Sequence, residues 1–186
     1  MDGTLTEPML DFPRIKAEMG IGDRPILEAL AEMDGPRRAA AEVVLLRHEQ
    51  DAATASALNP GCRELLDWLA ARRVPLALIT RNSRQSVRTV IERHGLRIDL
   101  ILTRTDARPK PDPQALHLAC ERLGVAARDA WMVGDGQYDV EAGVAAGART
   151  VWVSHGRPRA FAAAPWRTVQ DLHGLAELLR TCRREP

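Results

Sequence analysis

The sequence predicts an α/β fold in which helices cover a parallel sheet, with a small helical unit inserted near the amino end. From Val74 onward, short apolar runs alternate with amphipathic stretches, which is typical of buried parallel strands joined by helices. Residues 8–58 show helical spacing and no strand pattern. The length of 186 residues suits one domain with a small insertion.

The predicted strands are the near-continuous apolar runs, which occupy residues 74–80, 98–103, 130–133 and 150–153. The predicted core helices are the amphipathic stretches around these runs, at residues 61–73, 83–94, 112–124, 137–146 and 171–180. Asp112 is placed to cap a helix whose first residue is Pro113. Arg180, Arg183 and Arg184 are predicted to lie at the solvated end of the last helix, where basic side chains suit the helix dipole.

Residues 8–58 are predicted to form a helical cap, and residues 1–7 and 59–186 are predicted to form the α/β core. The longest cap helix is expected over residues 36–55. The apolar side chains at helical spacing are predicted to fill the interior of the cap rather than to line a substrate pocket; they are Phe12, Ile15, Met19, Ile26 and Leu30.

Composition excludes several classes of function. The 26 basic and 25 acidic residues give a formal net charge of +1, so there is no electrostatic case for binding nucleic acid or an anionic membrane. No apolar run is long enough to cross a bilayer, and no leader pattern opens the chain. Cys62, Cys120 and Cys182 are odd in number and far apart, as expected of reduced thiols. We therefore expect a cytoplasmic protein.

Four short segments carry side chains suited to chemistry, and they occupy residues 1–6, 80–82, 108–113 and 134–139. Three of them follow or end a predicted strand at its carboxyl end, which is where open α/β sheets bind ligands. Lysine is rare in this chain, because only Lys16 and Lys110 occur among the 26 basic residues. A lysine supplies a compact point charge that arginine does not, so Lys110 is a candidate functional residue.

The polar groups in these segments suit the binding of a phosphoryl group. A turn at Gly3 can direct backbone amides at an anion. Thr80 offers a hydroxyl donor, and Lys110 offers a positive charge to a phosphate oxygen.

Three aspartates supply acidic groups to the same segments. Asp135 and Asp139 are oxygen ligands suited to Mg²⁺, and Asp2 is available for proton transfer. Because positioning and charge neutralisation dominate phosphoryl transfer, this set of groups fits that reaction class.

The order of the motifs resembles the haloacid dehalogenase (HAD) superfamily. The matching segments, in the family's order, are Asp2-Gly3-Thr4-Leu5-Thr6, the strand-terminal Thr80, Lys110-Pro111-Asp112-Pro113 and Gly134-Asp135 with Asp139. The helical insertion after the first motif is similar to the C1 cap of the phosphoglycolate-phosphatase-like branch. The resemblance covers nearly the whole chain. It implies a HAD-type Rossmannoid three-layer core with a parallel sheet and a small all-helical cap.

The resemblance also implies roles in catalysis and in phosphate binding. Asp2 matches the general acid/base that protonates the leaving oxygen and later activates water. Thr80 and Lys110 match the hydroxyl and the lysine that hold the phosphoryl group. Gly3 and Asn82 lie next to these groups and are expected to help bind phosphate or substrate.

Mg²⁺ is the cofactor that the resemblance implies. Asp135 matches the family's metal ligand, and Asp2 is expected to contribute to the same site. Asp139 matches the second acid of its motif, which either assists the metal or orients Lys110.

The sequence departs from the family pattern before Met1. The family nucleophile is an aspartate two positions before the acid/base, on an apolar strand in the middle of the sheet, and neither is present in this sequence. Three interpretations follow: a sequence that begins too late, a truncated protein without covalent chemistry, or a different nucleophile. We favour the first, since Asp11 and Asp23 lie in the predicted cap and are poorly placed for attack.

Asp2 discriminates between the activities of the superfamily. Release of a halide needs no proton donor, so the dehalogenases of the superfamily do not have an aspartate at this position. Phosphonate hydrolases have a small residue here and use a lysine of the cap, and Lys16 is the one lysine in the predicted cap. The predicted function is therefore a Mg²⁺-dependent phosphatase of a small phosphorylated metabolite, acting through an aspartyl-phosphate intermediate in the full-length protein.

Two alternatives stay open, and so does the formation of a homodimer. One is a phosphoglucomutase-like phosphoryl transferase, which a small cap disfavours because it excludes water less completely. The other is a non-catalytic HAD-like binding or interaction module.

Some charged residues near the motifs have predicted roles outside catalysis. Arg81 is expected to neutralise the acidic site rather than to contact substrate. Arg104 and Arg108 are expected to be surface charges. The histidines show no ligand spacing, so each is expected at the surface or at a helix end; they are His48, His94, His117, His155 and His173.

Overall fold

A computed structural model describes residues 1–182 of the chain. The α-helices in this part are α1 Phe12–Met19, α2 Ile26–Ala31, α3 Gly35–Ala55, α4 Cys62–Ala70, α5 Arg84–His94, α6 Gln114–Leu123, α7 Gln137–Ala145 and α8 Leu172–Cys182. The β-strands are β1 Ala77–Ile79, β2 Leu100–Leu102, β3 Trp131–Gly134, β4 Arg149–Val153 and β5 Arg167–Val169. Arg183 and Arg184 lie outside the described residues. The α/β class is confirmed.

Element boundaries differ from the prediction where pairing or capping decides them. β1 and β2 are shorter than the apolar runs that contain them. A run of apolar residues does not determine which of its backbone groups form hydrogen bonds with a neighbouring strand. Helix α6 begins at Gln114 with Pro113 as its N-cap, one residue later than predicted. Asp112 still caps this end, since its Oδ1 accepts from the Gln114 amide at 2.9 Å.

The strands form two parallel sheets rather than the single sheet that the sequence predicts. β1 pairs with β2, while β3, β4 and β5 form the second sheet in that order. β5 was not predicted, because only Val169 of its three residues is partly buried and no apolar run marks it. Since all pairs are parallel, the carboxyl ends of neighbouring strands lie at the same rim.

An apolar cavity of about 500 Å³ lies against both β1 and β3 and separates the two sheets. We call it the slot. Leu78 of β1 and Met132 of β3 line it, together with helix residues such as Leu65 and Leu172. Among residues 1–182, neither β1 nor β3 has a strand partner on the side that faces the slot. The sheet of β1 and β2 and the sheet of β3, β4 and β5 are therefore not hydrogen-bonded to each other across the slot.

The helical insertion has an apolar interior of its own. Its buried members are Ile15, Met19, Ile21, Ala29, Leu30, Ala41 and Leu45, with Ile26 partly buried against them. Phe12 was predicted to belong to this interior but is 51% exposed. It is the first residue of α1, and the buried residues of that helix, Ile15 and Met19, lie further along it. No helix within the described residues is long and apolar enough to span a membrane.

Helix α3 also packs on the α/β core, through its second half. Glu49 is buried on α3, and its carboxylate accepts from the Ser83 amide at 3.0 Å and forms an ion pair with Arg104. Gln50 donates to Thr89 on α5 at 3.0 Å. The prediction that Arg104 is a surface charge is wrong, since this buried carboxylate from a distant helix draws the guanidinium inward.

Candidate active site

The candidate site forms where β1 and β3 end. Thr80 follows β1, and Asp135 follows β3. Lys110 joins the two sides, because its Nζ donates to the Ile79 carbonyl at 2.8 Å and pairs with Asp139 at 2.5 Å. The side chains that the sequence placed in separate motifs thus lie at one rim.

Lys110 is buried and held in a defined position. Its side chain is 7% exposed, and two of its three ammonium hydrogens point at the Ile79 carbonyl and the Asp139 carboxylate. Burial opposes ionisation of Asp139, but the nearby charge of Lys110 outweighs it, so the pKa of Asp139 is lowered. An ammonium carries three hydrogens, so Lys110 can donate one further hydrogen bond. This contact with Lys110 is the one that the second expected role of Asp139 requires.

The loop at Gly3 fits closely around Asp135. Gly3 has a φ of +77°, and a Cβ at this position would lie 2.3 Å from Asp135 Oδ2. Thr4 Oγ1 donates to Asp135 Oδ1 at 2.9 Å. Only glycine permits this close approach, so the first motif and the Asp135 carboxylate are positioned by each other.

The prediction that the turn at Gly3 directs its backbone amides at an anion is wrong for three of these amides. The amides of Thr4, Leu5 and Thr6 donate to the Met1 carbonyl at 3.2, 2.9 and 3.1 Å. Thr4 and Thr6 are buried, and buried amides need partners. The loop therefore satisfies these groups internally instead of presenting them to a ligand.

Asp2 lies at the same loop in a partly buried position. Its Oδ1 accepts from the Met9 amide at 2.9 Å. Burial raises the pKa of Asp2 in spite of that hydrogen bond. A carboxyl group whose pKa is raised is better able to donate a proton near neutral pH.

Thr80 and Asn82 interact with each other. Thr80 is 5% exposed, and its hydroxyl lies 3.3 Å from Asn82 Oδ1 and accepts from the Asn82 amide at 3.2 Å. A ligand oxygen that accepts a hydrogen bond from the Thr80 hydroxyl would replace Asn82 Oδ1 as its acceptor. The two residues thus form one polar corner of the rim.

The aspartates of the rim offer oxygen ligands of the kind that Mg²⁺ prefers. Of Asp2, Asp135 and Asp139, the last is the least available. Mg²⁺ is usually held by one or two carboxylates together with water and other oxygen ligands. Asp135 can supply a carboxylate, and Asp2 can supply its backbone carbonyl. Asp139 is committed to Lys110. No group of three acidic, histidine or cysteine side chains within residues 1–182 is arranged to hold a metal by itself.

Three residues that were not predicted to belong to the site have hydrogen bonds to its loop or to Asp135. His155 is partly buried rather than at the surface, and its Nε2 lies 2.7 Å from the Gly3 carbonyl. Arg157 donates to the Asp135 carbonyl at 3.0 Å and to Asp135 Oδ2 at 3.3 Å. Asn59 Nδ2 lies 2.8 Å from the carbonyls of Thr4 and Thr6. His155 and Arg157 lie in the loop after β4, so position at a strand's carboxyl end was the one available signal.

Helices surround parallel strands whose carboxyl ends carry a lysine, a threonine and carboxylates, and this rim is where open α/β sheets bind ligands. A family profile described as a haloacid dehalogenase-like hydrolase matches residues 5–147. The chain belongs to the haloacid dehalogenase-like hydrolase family, and its homologues indicate that it is an enzyme.

Individual relatives agree with this assignment. The phosphoglycolate phosphatase of Chromobacterium violaceum is 31% identical, over 93% of this chain and 82% of that protein. The phosphoglycolate phosphatase of Rhodospirillum rubrum is 36% identical, and the alignment covers 62% of this chain but only 49% of that protein. A solved hydrolase from Pseudomonas syringae superposes with a TM-score of 0.81 at 20% identity, over 97% of this chain and 94% of that one. At that identity, the last similarity shows the fold alone.

Proposed function

We propose that this protein is a Mg²⁺-dependent phosphatase of a small phosphorylated metabolite. The observation that carries the proposal is the buried Lys110 ammonium, fixed between the end of β1 and Asp139, with Thr80, Asp2 and Asp135 at the same rim. The names of the relatives make phosphoglycolate the first substrate to try. A cytoplasmic location is part of the proposal, and the free cysteines among residues 1–182 are compatible with it.

The proposed reaction has two steps. A carboxylate oxygen of an aspartate placed directly before Met1 in the full-length protein bonds to phosphorus, and the bond from phosphorus to the ester oxygen breaks. Asp2 gives its proton to that leaving oxygen. Asp2 then takes a proton from water, whose oxygen attacks the aspartyl phosphate, so that phosphate leaves and the carboxylate is restored.

The chain's own residues orient and neutralise the transferred group. Lys110 and Thr80 donate to its oxygens. The Asp135 carboxylate and the backbone carbonyl of Asp2 would hold Mg²⁺, which would supply positive charge against the phosphate while the Asp2 side chain remains free for proton transfer. The slot supports the placement of the nucleophile, since a strand lying between β1 and β3 would end at this rim beside Met1, which also borders the slot.

The test compares three forms of the chain that are extended before Met1. One carries an apolar strand ending in aspartate, one the same strand ending in asparagine, and one the aspartate strand together with Asp2→Ala. With Mg²⁺, we expect the first to hydrolyse p-nitrophenyl phosphate and members of a phosphate-ester panel. The other two should lose at least a hundredfold in rate, since the nucleophile and the proton donor each contribute that much or more. If the first form is folded but inactive on the whole panel, the non-catalytic binding module becomes the better assignment.

A further inference from the structure

The guanidinium of Arg81 lies between the candidate site and the cap. Arg81 follows Thr80 directly, and its side chain is 18% exposed. Its Cζ lies 4.5 Å from the centre of the Tyr138 ring, and one Nη donates to the Lys110 carbonyl. The core therefore fixes the plane of the guanidinium and one of its nitrogens.

Glu28 of the cap occupies the outward donors of Arg81. The distances are 3.0 Å from Nη1 to Oε1, 2.9 Å from Nη2 to Oε1 and 2.7 Å from Nη2 to Oε2. Burial opposes ionisation of Glu28, but Arg81 outweighs it and lowers the pKa of this carboxyl. The prediction that Arg81 neutralises the acidic site is wrong for its direct ion pair, since its partner is a carboxylate from the cap.

The two partners of this ion pair are anchored unequally. Arg81 is held by Tyr138 and Lys110 as well as by Glu28. The Glu28 side chain is 42% exposed, and among the described residues no other side chain hydrogen-bonds its carboxylate. Glu28 can therefore swing into solvent while the guanidinium stays in place. The mostly buried Arg81 charge then needs another anionic partner.

We propose that Arg81 is a specificity-determining residue that binds a carboxylate of the substrate in exchange for Glu28. An arginine fork pairs with any carboxylate in the two-point geometry that Glu28 shows. A small ester whose phosphoryl group lies between Thr80 and Lys110 has this guanidinium beside it. The substrate class is then a small phosphate ester that carries a carboxylate. This inference rests on the proposed function, because it assumes that the phosphoryl group binds at this rim.

Two probe molecules of nearly equal size test the proposal. 2-Phosphoglycolate carries a carboxylate where ethyl phosphate has a methyl group, and calorimetric titration in Mg²⁺ measures the affinity of the chain for each. We expect 2-phosphoglycolate to bind at least about tenfold more tightly, as for a hydrogen-bonded charge pair. Arg81→Ala should bring the ratio of affinities close to one. Arg81→Lys should restore part of it, because lysine keeps the charge but loses the fork.

Glu28→Gln and Arg84→Ala complete the experiment. Glu28→Gln removes the competing charge and should tighten binding of 2-phosphoglycolate about threefold or more, with ethyl phosphate unchanged. Arg84→Ala deletes a nearby exposed arginine that pairs with Asp106 and should leave the ratio unchanged.

The outcomes separate the two proposals. If Arg81→Ala leaves the ratio of the two affinities unchanged, the proposed role of Arg81 is wrong. This includes the case in which both esters lose affinity equally, which would mean that the ion pair only holds the cap against the core. If the wild-type chain and its strand-extended form bind neither ester, the phosphate site itself fails, and both proposals fall.

Discussion

At the scale of single residues, the close contact between Gly3 and Asp135 is the most constrained feature of the site. Two separate effects keep other residues out of position 3. The backbone is left-handed, with a φ of +77°, and the space that a Cβ would need is filled by the Asp135 carboxylate. Gly22 shares the left-handed backbone, with a φ of +60°, but has open space around it.

This comparison yields the first prediction. Gly22→Ala should lower the free energy of unfolding by about 1 kcal/mol, the cost of left-handed backbone alone. Gly3→Ala adds the clash and should cost about 3 kcal/mol, and it should also weaken Mg²⁺ binding by displacing Asp135. Urea unfolding and Mg²⁺ titration measure both effects. Equal costs for the two variants would show that the loop moves freely away from Asp135.

Asp106 gives a second prediction, which concerns pH. Its Oδ2 accepts from the amide and the hydroxyl of Thr103, both at 2.7 Å. Burial opposes ionisation, but these hydrogen bonds and Arg84 outweigh it, so the pKa of Asp106 lies below its ordinary value of 3.8. The folded state therefore favours the ionised form, and the resulting stability is present above pH 3.8 and lost as the pH falls through the lower folded value.

Asp106→Asn should thus destabilise the protein by about 1 kcal/mol at pH 7 and by much less near pH 3. Urea midpoints at the two pH values check this, with Asp67→Asn on the exposed face of α4 as the matched control. A deficit that is as large at pH 3 as at pH 7 would mean that ionisation of Asp106 does not contribute.

At the scale of elements, helix α3 is shared between the cap and the core. Ala41 and Leu45 pack in the interior of the cap, whereas Glu49 and Ala53 are buried further along the same helix. Because Glu49 pairs with Arg104 and accepts from Ser83, the carboxyl half of α3 is tied to the core.

The third prediction tests this tie. Glu49→Ala leaves Arg104, whose side chain is 15% exposed, without its carboxylate partner and should cost about 3 kcal/mol in urea unfolding. Glu92→Ala breaks an exposed pair with Arg88 and should change stability by no more than about 0.5 kcal/mol. Similar small effects from both changes would mean that the buried pair is not what docks α3.

At the scale of the whole molecule, the slot divides the sheet. Leu78 and Met132 face it from opposite sides, and the edges of β1 and β3 on that side are unpaired among residues 1–182. Two parallel edges across an apolar cavity offer backbone hydrogen bonds and apolar contacts to one more strand.

The fourth prediction follows from this geometry. Fusing four apolar residues and an aspartate before Met1 should raise the free energy of unfolding by about 2 kcal/mol or more, since apolar burial exceeds the entropy lost on ordering. A glycine–serine extension of equal length should have no such effect. Urea unfolding measures both, and equal stabilisation by the two extensions would contradict the insertion of a strand into the slot.

Most elements could be predicted from local sequence. Apolar runs marked four of the five strands, and Ser83 and Gly95 bound α5 as its caps, because these signals act within a few residues of the chain. The membership of the family followed from four short motifs in order. The roles assigned to Asp2, Thr80, Lys110 and Asp135 remain predictions, although the structure brings these residues to one rim.

What the sequence by itself determined is therefore the α/β class, the helical insertion and the set of polar groups that meet at the strand ends. Only the tertiary structure revealed Glu28 as the partner of Arg81 and Glu49 as the partner of Arg104. It also brings Asp139 against Lys110, which was one of the two contacts that the resemblance implied. It also decided that the sheet is split by the slot. These pairings join residues about thirty to fifty-five positions apart, and such contacts depend on how the helices and strands pack, which local patterns of hydrophobicity and capping do not encode.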